Sequence, residues 1–232
     1  MIKPSACFLL LQSGLSLYNF QFSIRTVLHR LIAEGEHQQQ DFKYEISDAR
    51  KIARTLSAFA NTDGGRLLIG VKDNGKIAGV RSEEEIYMVE AAASMYCTPP
   101  VECRMSIHRV EGHNVVIAEV EPSAVHPVRA RLDDGTLCAF VRIADENIVA
   151  SPVQMALWRE EGKDQGAVLP FTEREQALLR LLVEAPEPLT LNRFARLGRL
   201  PRHRAVQLLA QFIRFGLARQ QFVGHTFAYE AI

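Results

Sequence analysis

Apolar positions recur in this chain at two periods, and the alternation between them sets out its elements. Residues 1 to 22 follow neither period. From Ser23 onward, Val27, Leu28, Leu31 and Ile32 recur at helical spacing, and Gly35 supplies a C-terminal stop. Asp41 to Tyr44 reads as a short strand. Ser47 is placed to cap a helix whose apolar face is Ala49, Ile52, Ala53, Leu56, Phe59 and Ala60, with Asp48 favourable in the first turn. The run 61 to 65, Asn-Thr-Asp-Gly-Gly, breaks it. Leu67 to Val71 has the composition of a buried strand, and Asn74-Gly75 predicts a two-residue hairpin turn pairing it with Lys76 to Val80. Glu83 to Met95 predicts a further amphipathic helix ended by Pro99-Pro100. Three strand-like runs follow: Val101 to Val110, Val115 to Val120 and Leu137 to Ile143.

The order predicts an α+β fold, mixed but with a largely antiparallel sheet and covering helices, rather than a doubly wound parallel sheet. Ser151 to Glu161 reads as a bridging helix with Trp158, and residues 162 to 166 as a linker. The last segment has its own periodicity. Thr172 to Glu175 is a capping box opening a helix through Leu178, Leu179 and Leu182; Leu189 to Leu197 predicts a short helix stopped by Gly198. Pro201 suits the first turn of a third helix, in which Val206, Leu209, Phe212 and Ile213 oppose His203, Gln207, Gln211 and Arg214. Leu217 to Val223, a Gly224-His225 turn and Thr226 to Tyr229 then read as a hairpin. Three helices plus a hairpin is the order of a small winged helix-turn-helix domain. The expected domains are a leader at 1–22 with no assigned role, an α+β domain at 23–152, a bridging helix and linker at 153–167, and the winged helix at 168–232.

With 232 residues, 47% hydrophobic and 23% charged, the chain has an ordinary globular composition, and a disulfide-stapled miniprotein is excluded. Lys plus Arg and Asp plus Glu tie at 27 each, so the chain is not uniformly basic. The tie hides an asymmetry: residues 171 to 232 hold nine Arg and five Glu, net +4. Between Pro188 and Tyr229 there are seven arginines and no acid, so local ion pairs cannot satisfy them, and phosphates are the natural partner. Arg202, His203, Arg204, Gln207, Gln211 and Arg214 are the expected nucleic-acid contacts there. A solvated face, or a dimer surface in a homo-oligomer, is the alternative use of those arginines. The four cysteines form no CxxC pair, and His37, His108, His113 and His126 show no ligand spacing. Reduced cytoplasmic thiols fit. Ala6 to Leu11 is too short for a membrane span, and no cleavage site follows it, so a cytoplasmic location without membrane partners is expected.

Residues 36 to 80 carry the most specific pattern. Glu36, then Asp41-Phe42-Lys43, a helix ending at 57 to 65 as Ser-Ala-Phe-Ala-Asn-Thr-Asp-Gly-Gly, then 68 to 75 as Leu-Ile-Gly-Val-Lys-Asp-Asn-Gly, and Gly79-Val80 resemble the Schlafen-type AlbA-like domain of many bacterial regulators. Pro99, Pro127 and Phe140-Val141-Arg142 are similar to its later landmarks, so the resemblance covers about residues 24 to 152. It implies nucleic-acid binding, with Lys43 and Arg142 as the basic members of its motifs. In vertebrate Schlafen proteins it also implies a metal-dependent RNA-cleaving site of three carboxylates, which would fall on Glu36, Asp41 and Asp73, here with Asp41 where the family usually has Glu.

Read on spacing alone, Glu36 and Asp41 lie five apart and need the turn that Gly35 provides; both then approach Asp73 at the end of the neighbouring strand. Three converging carboxylates hold Mg²⁺ or Mn²⁺. The plain alternative is a cross-strand pair between Asp73 and Lys76. Gly64-Gly65 is no phosphate loop: those run strand, glycines, helix, and here the order is helix, glycines, strand. The expected function is a nucleic-acid-binding protein, a transcriptional regulator preferring DNA over RNA and using an AlbA-like domain and a winged helix, with no cofactor assigned beyond the Mg²⁺ or Mn²⁺ that the carboxylates would hold. The alternative is a divalent-metal-dependent endoribonuclease.

Overall fold

A computed structural model describes residues 27–161 and 171–232; the leader and the linker expected at 162–166 lie outside the described residues. What is described forms two compact units. One comprises the chain to Ser123 together with Val128–Asn147, and the other Ala124–Pro127 with Ile148–Ile232.

The first unit opens with α1, described over 27–34, which Gly35 ends in a left-handed conformation (φ +72°). Next come β1 (Gln40–Lys43), α2 (Ala49–Ala60), β2 (Gly65–Ile69) and α3 (Glu84–Ala91), which runs into a π-helical turn at Ala92–Tyr96. Then follow β3 (Cys97–Thr98), β4 (Cys103–Val110), β5 (His113–Val120), β6 (Arg129–Arg131), β7 (Leu137–Ile143) and β8 (Glu146–Val149), whose last two residues are counted with the second unit. One sheet has the order β1-β2-β5-β4 and another β3-β6-β7-β8. Only β1 against β2 is parallel among the registered pairs; the rest are antiparallel, as the sequence predicts.

Strand alternation divides the first sheet's side chains between two cores. Phe42, Leu68, Val115 and Ile117 meet Leu28 and Leu31 of α1. Leu67, Ile69, Val116 and Ala118 meet α2, which on its other side meets Val128, Ala130 and Phe140 of the second sheet's segment. α2 therefore lies between two layers. Its last turns are buried all round, Thr55 and Ser57 included. The polar atoms taken in with it are bonded: Ser57 Oγ donates to the Val128 carbonyl at 2.9 Å, and the C-cap Asn61 donates to the Val128 and Phe140 carbonyls at 2.7 and 2.9 Å. Asn61 also accepts the Val128 N–H at 2.8 Å.

Three local expectations change. The cap of α2 is Asp48 rather than Ser47, its carboxylate accepting the Arg50 N–H at 2.9 Å. The hairpin at Asn74-Gly75 is a three-residue turn, with Asp73, Asn74 and a left-handed Gly75 between Lys72 and Lys76; the Lys72 N–H donates to the Lys76 carbonyl at 3.0 Å. Lys72, not Asp73, thus faces Lys76. Beyond the single bridge Val71–Ile77 no strand forms at 76–80, because Ala78 and Gly79 both donate to the Gly70 carbonyl, at 2.8 and 2.9 Å, and fold the chain back. Gly70 and Gly79, both left-handed, touch backbone to backbone: a Cβ on Gly70 would lie 2.7 Å from the Gly79 carbonyl carbon. Gly65 is tight for another reason, since its Cβ would sit 2.5 Å from the Phe59 ring.

The second unit contains α4 (Pro152–Glu160), α5 (Glu173–Val183), β9 (Leu189–Thr190), α6 (Leu191–Leu197), α7 (Arg202–Arg214), β10 (Ala218–Val223) and β11 (Thr226–Ala231). Ser151 caps α4, and Thr172 with Glu175 forms the capping box of α5. β10 and β11 pair across a Gly224-His225 turn with φ of +54° and +58°, and β9 adds to β11. Phe194, Leu209, Phe212 and Leu189 are fully buried at its core, joined by Val153 and Ala156 of α4.

Candidate functional site

The first candidate site is the turn joining α1 to β1. His37 and Gln40 exchange backbone hydrogen bonds at 3.0 and 3.1 Å, placing Gln38 and Gln39 at the tip. Gln40 is buried; its Nε2 donates to the Leu31 and Gly35 carbonyls at 2.6 Å, closing the C-terminus of α1, and its Oε1 accepts Arg66 Nε at 2.6 Å. The turned chain brings Glu36 back along β1, where its Oε1 accepts the Phe42 N–H at 2.8 Å. Burial, then a hydrogen bond with Asp41, pushes the Glu36 carboxyl above its usual range, so these two acids share a site in which the second charge is disfavoured.

Arg142, from β7, is the clamp. It is 1% exposed. Its Nη2 donates to the Gln40 carbonyl at 3.1 Å, to Asp41 Oδ1 at 3.3 Å and to the His37 carbonyl at 3.5 Å, and its Nη1 donates to Asn147 Oδ1 at 2.9 Å. The guanidinium lies 5.3 Å from the centre of the Phe59 ring, the ring that Gly65 abuts. The clamp works in both directions, since Gln38 Nε2 donates to the Arg142 carbonyl at 2.8 Å and Gln38 Oε1 accepts the Ala144 N–H at 2.9 Å.

Glu36 and Asp41 are therefore brought together, and Asp73 is not joined to them: it is exposed in the 72–76 turn. Among the described residues no group of three or more His, Cys, Asp or Glu is arranged to hold a metal ion. Asp41 is instead occupied by cations of this chain, Lys43 Nζ at 2.8 Å and Arg142 Nη2 at 3.3 Å. Glu36, Asp41 and Asp73 therefore form no three-carboxylate seat for Mg²⁺ or Mn²⁺. Arg142, expected to contact nucleic acid, has no accessible surface to offer one, and that expectation is withdrawn. Lys43 is partly exposed but bound to Asp41 and to the Phe42 carbonyl at 2.8 Å. Sequence reasoning misses Gln38, Gln40 and Asn147 and reads Asn61 only as part of the helix-ending run; for the glutamines the available signal is the run at 38–40, dense in hydrogen-bonding groups for a connecting turn.

The second candidate site is the polar side of α7. Arg202, His203, Arg204, Gln207, Gln211 and Arg214 are all exposed, and Ala205, Leu208, Leu209 and Phe212 are buried opposite. Arg202 Nη1 donates to Asn192 Oδ1 at 2.7 Å, Arg204 Nη1 to Gln207 Oε1 at 3.2 Å, and Arg214 pairs with Glu160 at 3.9 Å. Arg193, Arg196 and Arg199 of the α6 region are exposed as well. Among the described residues, none of Arg193, Arg196, Arg199, Arg202 and Arg204 is in an ion pair. Arg219 does pair, with Glu230 at 2.5 Å.

The first unit is thus an α+β domain in which two sheets share one buried helix and a buried arginine clamps an acid-bearing turn. The chain belongs to the Schlafen AlbA_2 family: the profile described as Schlafen, AlbA_2 matches residues 36–151, half of its length. Two similar solved structures are the DIP2311 protein from Corynebacterium diphtheriae and the N-terminal domain of a RecG-related protein from Nitrosomonas europaea. The first is 19% identical over 62% of this chain and 34% of that one, with a TM-score of 0.43. The second is 21% identical over 61% of this chain and 94% of that one, with a TM-score of 0.37. The match thus spans about a third of DIP2311. None of the curated proteins matches in sequence. No helix among the described residues is long and apolar enough to cross a membrane.

Proposed function

We propose that this chain is a nucleic-acid-binding protein of the transcriptional-regulator type, with residues 168–232 a winged helix-turn-helix that docks α7 on duplex DNA. The observation that carries the reading is the set of exposed arginines on and around α6 and α7 with no carboxylate partner among the described residues. Five unpaired guanidiniums on one small unit repel one another unless an anion compensates them, and a phosphate backbone supplies a row of them. The order α5, α6, α7, hairpin, and the tight Gly224-His225 turn at the hairpin tip, support the winged form. Duplex DNA is preferred over duplex RNA because an α-helix fits the wide major groove of B-form DNA, whereas the A-form major groove is too narrow. Family membership supports nucleic acid as the ligand class, and the free thiols Cys97, Cys103 and Cys138 suit the reducing cytoplasm. The endoribonuclease alternative gains nothing from the placement of Asp73.

Fluorescence anisotropy of the full chain with a labelled duplex tests this. With about five phosphates neutralised, log K should fall with log salt at a slope of roughly −4 to −5. Replacing Arg199 and Arg202 with Glu should weaken binding at every sequence and flatten that slope by about 2. No binding at low salt, or a slope indifferent to the substitutions, would refute it.

A further inference from the structure

The second unit holds a groove of ≈ 680 Å³ walled by α4, α5 and α7, within the ~300–1,000 Å³ span of small-ligand sites. Its apolar lining is Leu157, Leu178, Leu200, Leu208 and Phe215. Four guanidiniums line it too, those of Arg159, Arg174, Arg204 and Arg214, with two carboxylates, Glu160 and Glu175. Both carboxylates are engaged. Glu160 pairs with Arg214 at 3.9 Å, and Glu175 accepts the Thr172 N–H at 3.2 Å and the Thr172 hydroxyl in the capping box of α5. Arg159, Arg174 and Arg204 are left without an ion pair among the described residues.

We propose that this groove binds a small amphipathic anion, its carboxylate, sulfonate or phosphate head on the unpaired arginines and its aliphatic or aromatic body on the leucine and phenylalanine lining. Charge selects the class. A neutral apolar ligand would leave three guanidiniums uncompensated at the edge of a low-dielectric surface, and a cation would add to their repulsion, whereas an oxyanion accepts from guanidinium forks in paired hydrogen bonds. The same groove is lined by Gln207 and Gln211 of α7. If α7 docks on DNA as proposed above, the anion and the DNA compete for Arg204, Gln207 and Gln211, and the ligand acts as an effector that releases DNA. Binding of the anion does not rest on that reading; the competition does.

Isothermal titration of the full chain with octanoate, 1-octanol and octylammonium tests the proposal. Octanoate is expected to saturate at one molecule per chain, with 1-octanol and octylammonium at least tenfold weaker. Replacing Arg159 and Arg174 with Ser, both exposed, is expected to weaken octanoate at least tenfold with an unchanged circular dichroism spectrum. Absence of saturable octanoate binding overturns the proposal. So does 1-octanol binding as well as octanoate, which marks an apolar crevice only, or a folded double variant that binds like the parent. In a second arm, saturating duplex DNA is expected to weaken octanoate at least tenfold; equal affinity with DNA bound overturns the competition alone. Failure of DNA binding itself refutes the winged-helix reading and leaves the first arm intact.

Discussion

Asn61 offers the sharpest test of the architecture, because one exposed-type residue holds together three buried backbone groups. Asn61→Ala removes a donor from the Val128 and Phe140 carbonyls and an acceptor from the Val128 N–H. The Val128 carbonyl keeps the Ser57 hydroxyl at 2.9 Å, so two groups are orphaned, the Val128 N–H and the Phe140 carbonyl. At ~1–3 kcal/mol for each buried group left unsatisfied, the first unit should lose about 2–6 kcal/mol. Asn61→Asp keeps the shape but turns an oxygen toward two carbonyls. The fold favours the protonated form, so its carboxyl is raised above the ~3.9 of an unfolded Asp. Across that window the unfolded chain has released the proton and the folded one has not. Stability is therefore present below about pH 4 and lost as pH rises, by ~1.4 kcal/mol per unit, until the folded pKa is passed. Urea unfolding followed by circular dichroism reads the loss. At a typical slope of ~2 kcal/mol/M, 3 kcal/mol moves the first unit's midpoint by about 1.5 M. The single tryptophan, Trp158, belongs to the second unit and reports on it separately. An Ala variant within about 1 kcal/mol of the parent, or an Asp variant no less stable at pH 8 than at pH 5, would refute the reasoning.

Two further outcomes follow from the clamp. Arg142→Met leaves Asp41 with Lys43 alone and should cost about 3–5 kcal/mol, while Arg142→Met combined with Asp41→Asn should cost clearly less than the two single losses added, as a double-mutant cycle in urea would show. Glu36 is raised by burial and by Asp41, so its contribution is intact below the ordinary carboxylate range and falls as pH rises through the raised value; Glu36→Gln should flatten the pH profile of stability in that window, and an unchanged profile would count against shared burial of the two acids.

What the sequence made legible here was local. The apolar stripe of α2, the strand-like runs that became β4, β5 and β7 and the capping box at Thr172 each depend on residues a few positions apart, and each lies close to where the pattern placed it. The cap of α2 moved by one residue because Ser47 and Asp48 are both competent and only the approach of the chain decides between them. The turn at Asn74-Gly75 forms, but the strand expected at 76–80 does not, because Gly79 reaches back to Gly70, a contact no short window contains. The candidate site was half legible. Gly35 did bring Glu36 to Asp41, but the cation that answers them is Arg142, about a hundred residues away, and a motif arginine reads the same whether it points to solvent or into a core. α4 read as a mere bridge, since nothing in its own nine residues reveals that its apolar positions meet α7.

The two kinds of crowded glycine leave different marks on how this sequence can vary. Gly65 is confined by a side chain, so a larger residue there becomes tolerable when position 59 shrinks at the same time; the two positions should change together among relatives, and a suppressor of a Gly65 lesion should be found at Phe59. Any such exchange also removes the ring beneath Arg142, so drift at this pair reaches the acid-bearing turn. Gly70 is confined by the backbone of Gly79, and no second-site change can make a peptide unit smaller. Its lesions should have no partner suppressor, and the pair should persist unchanged rather than covary.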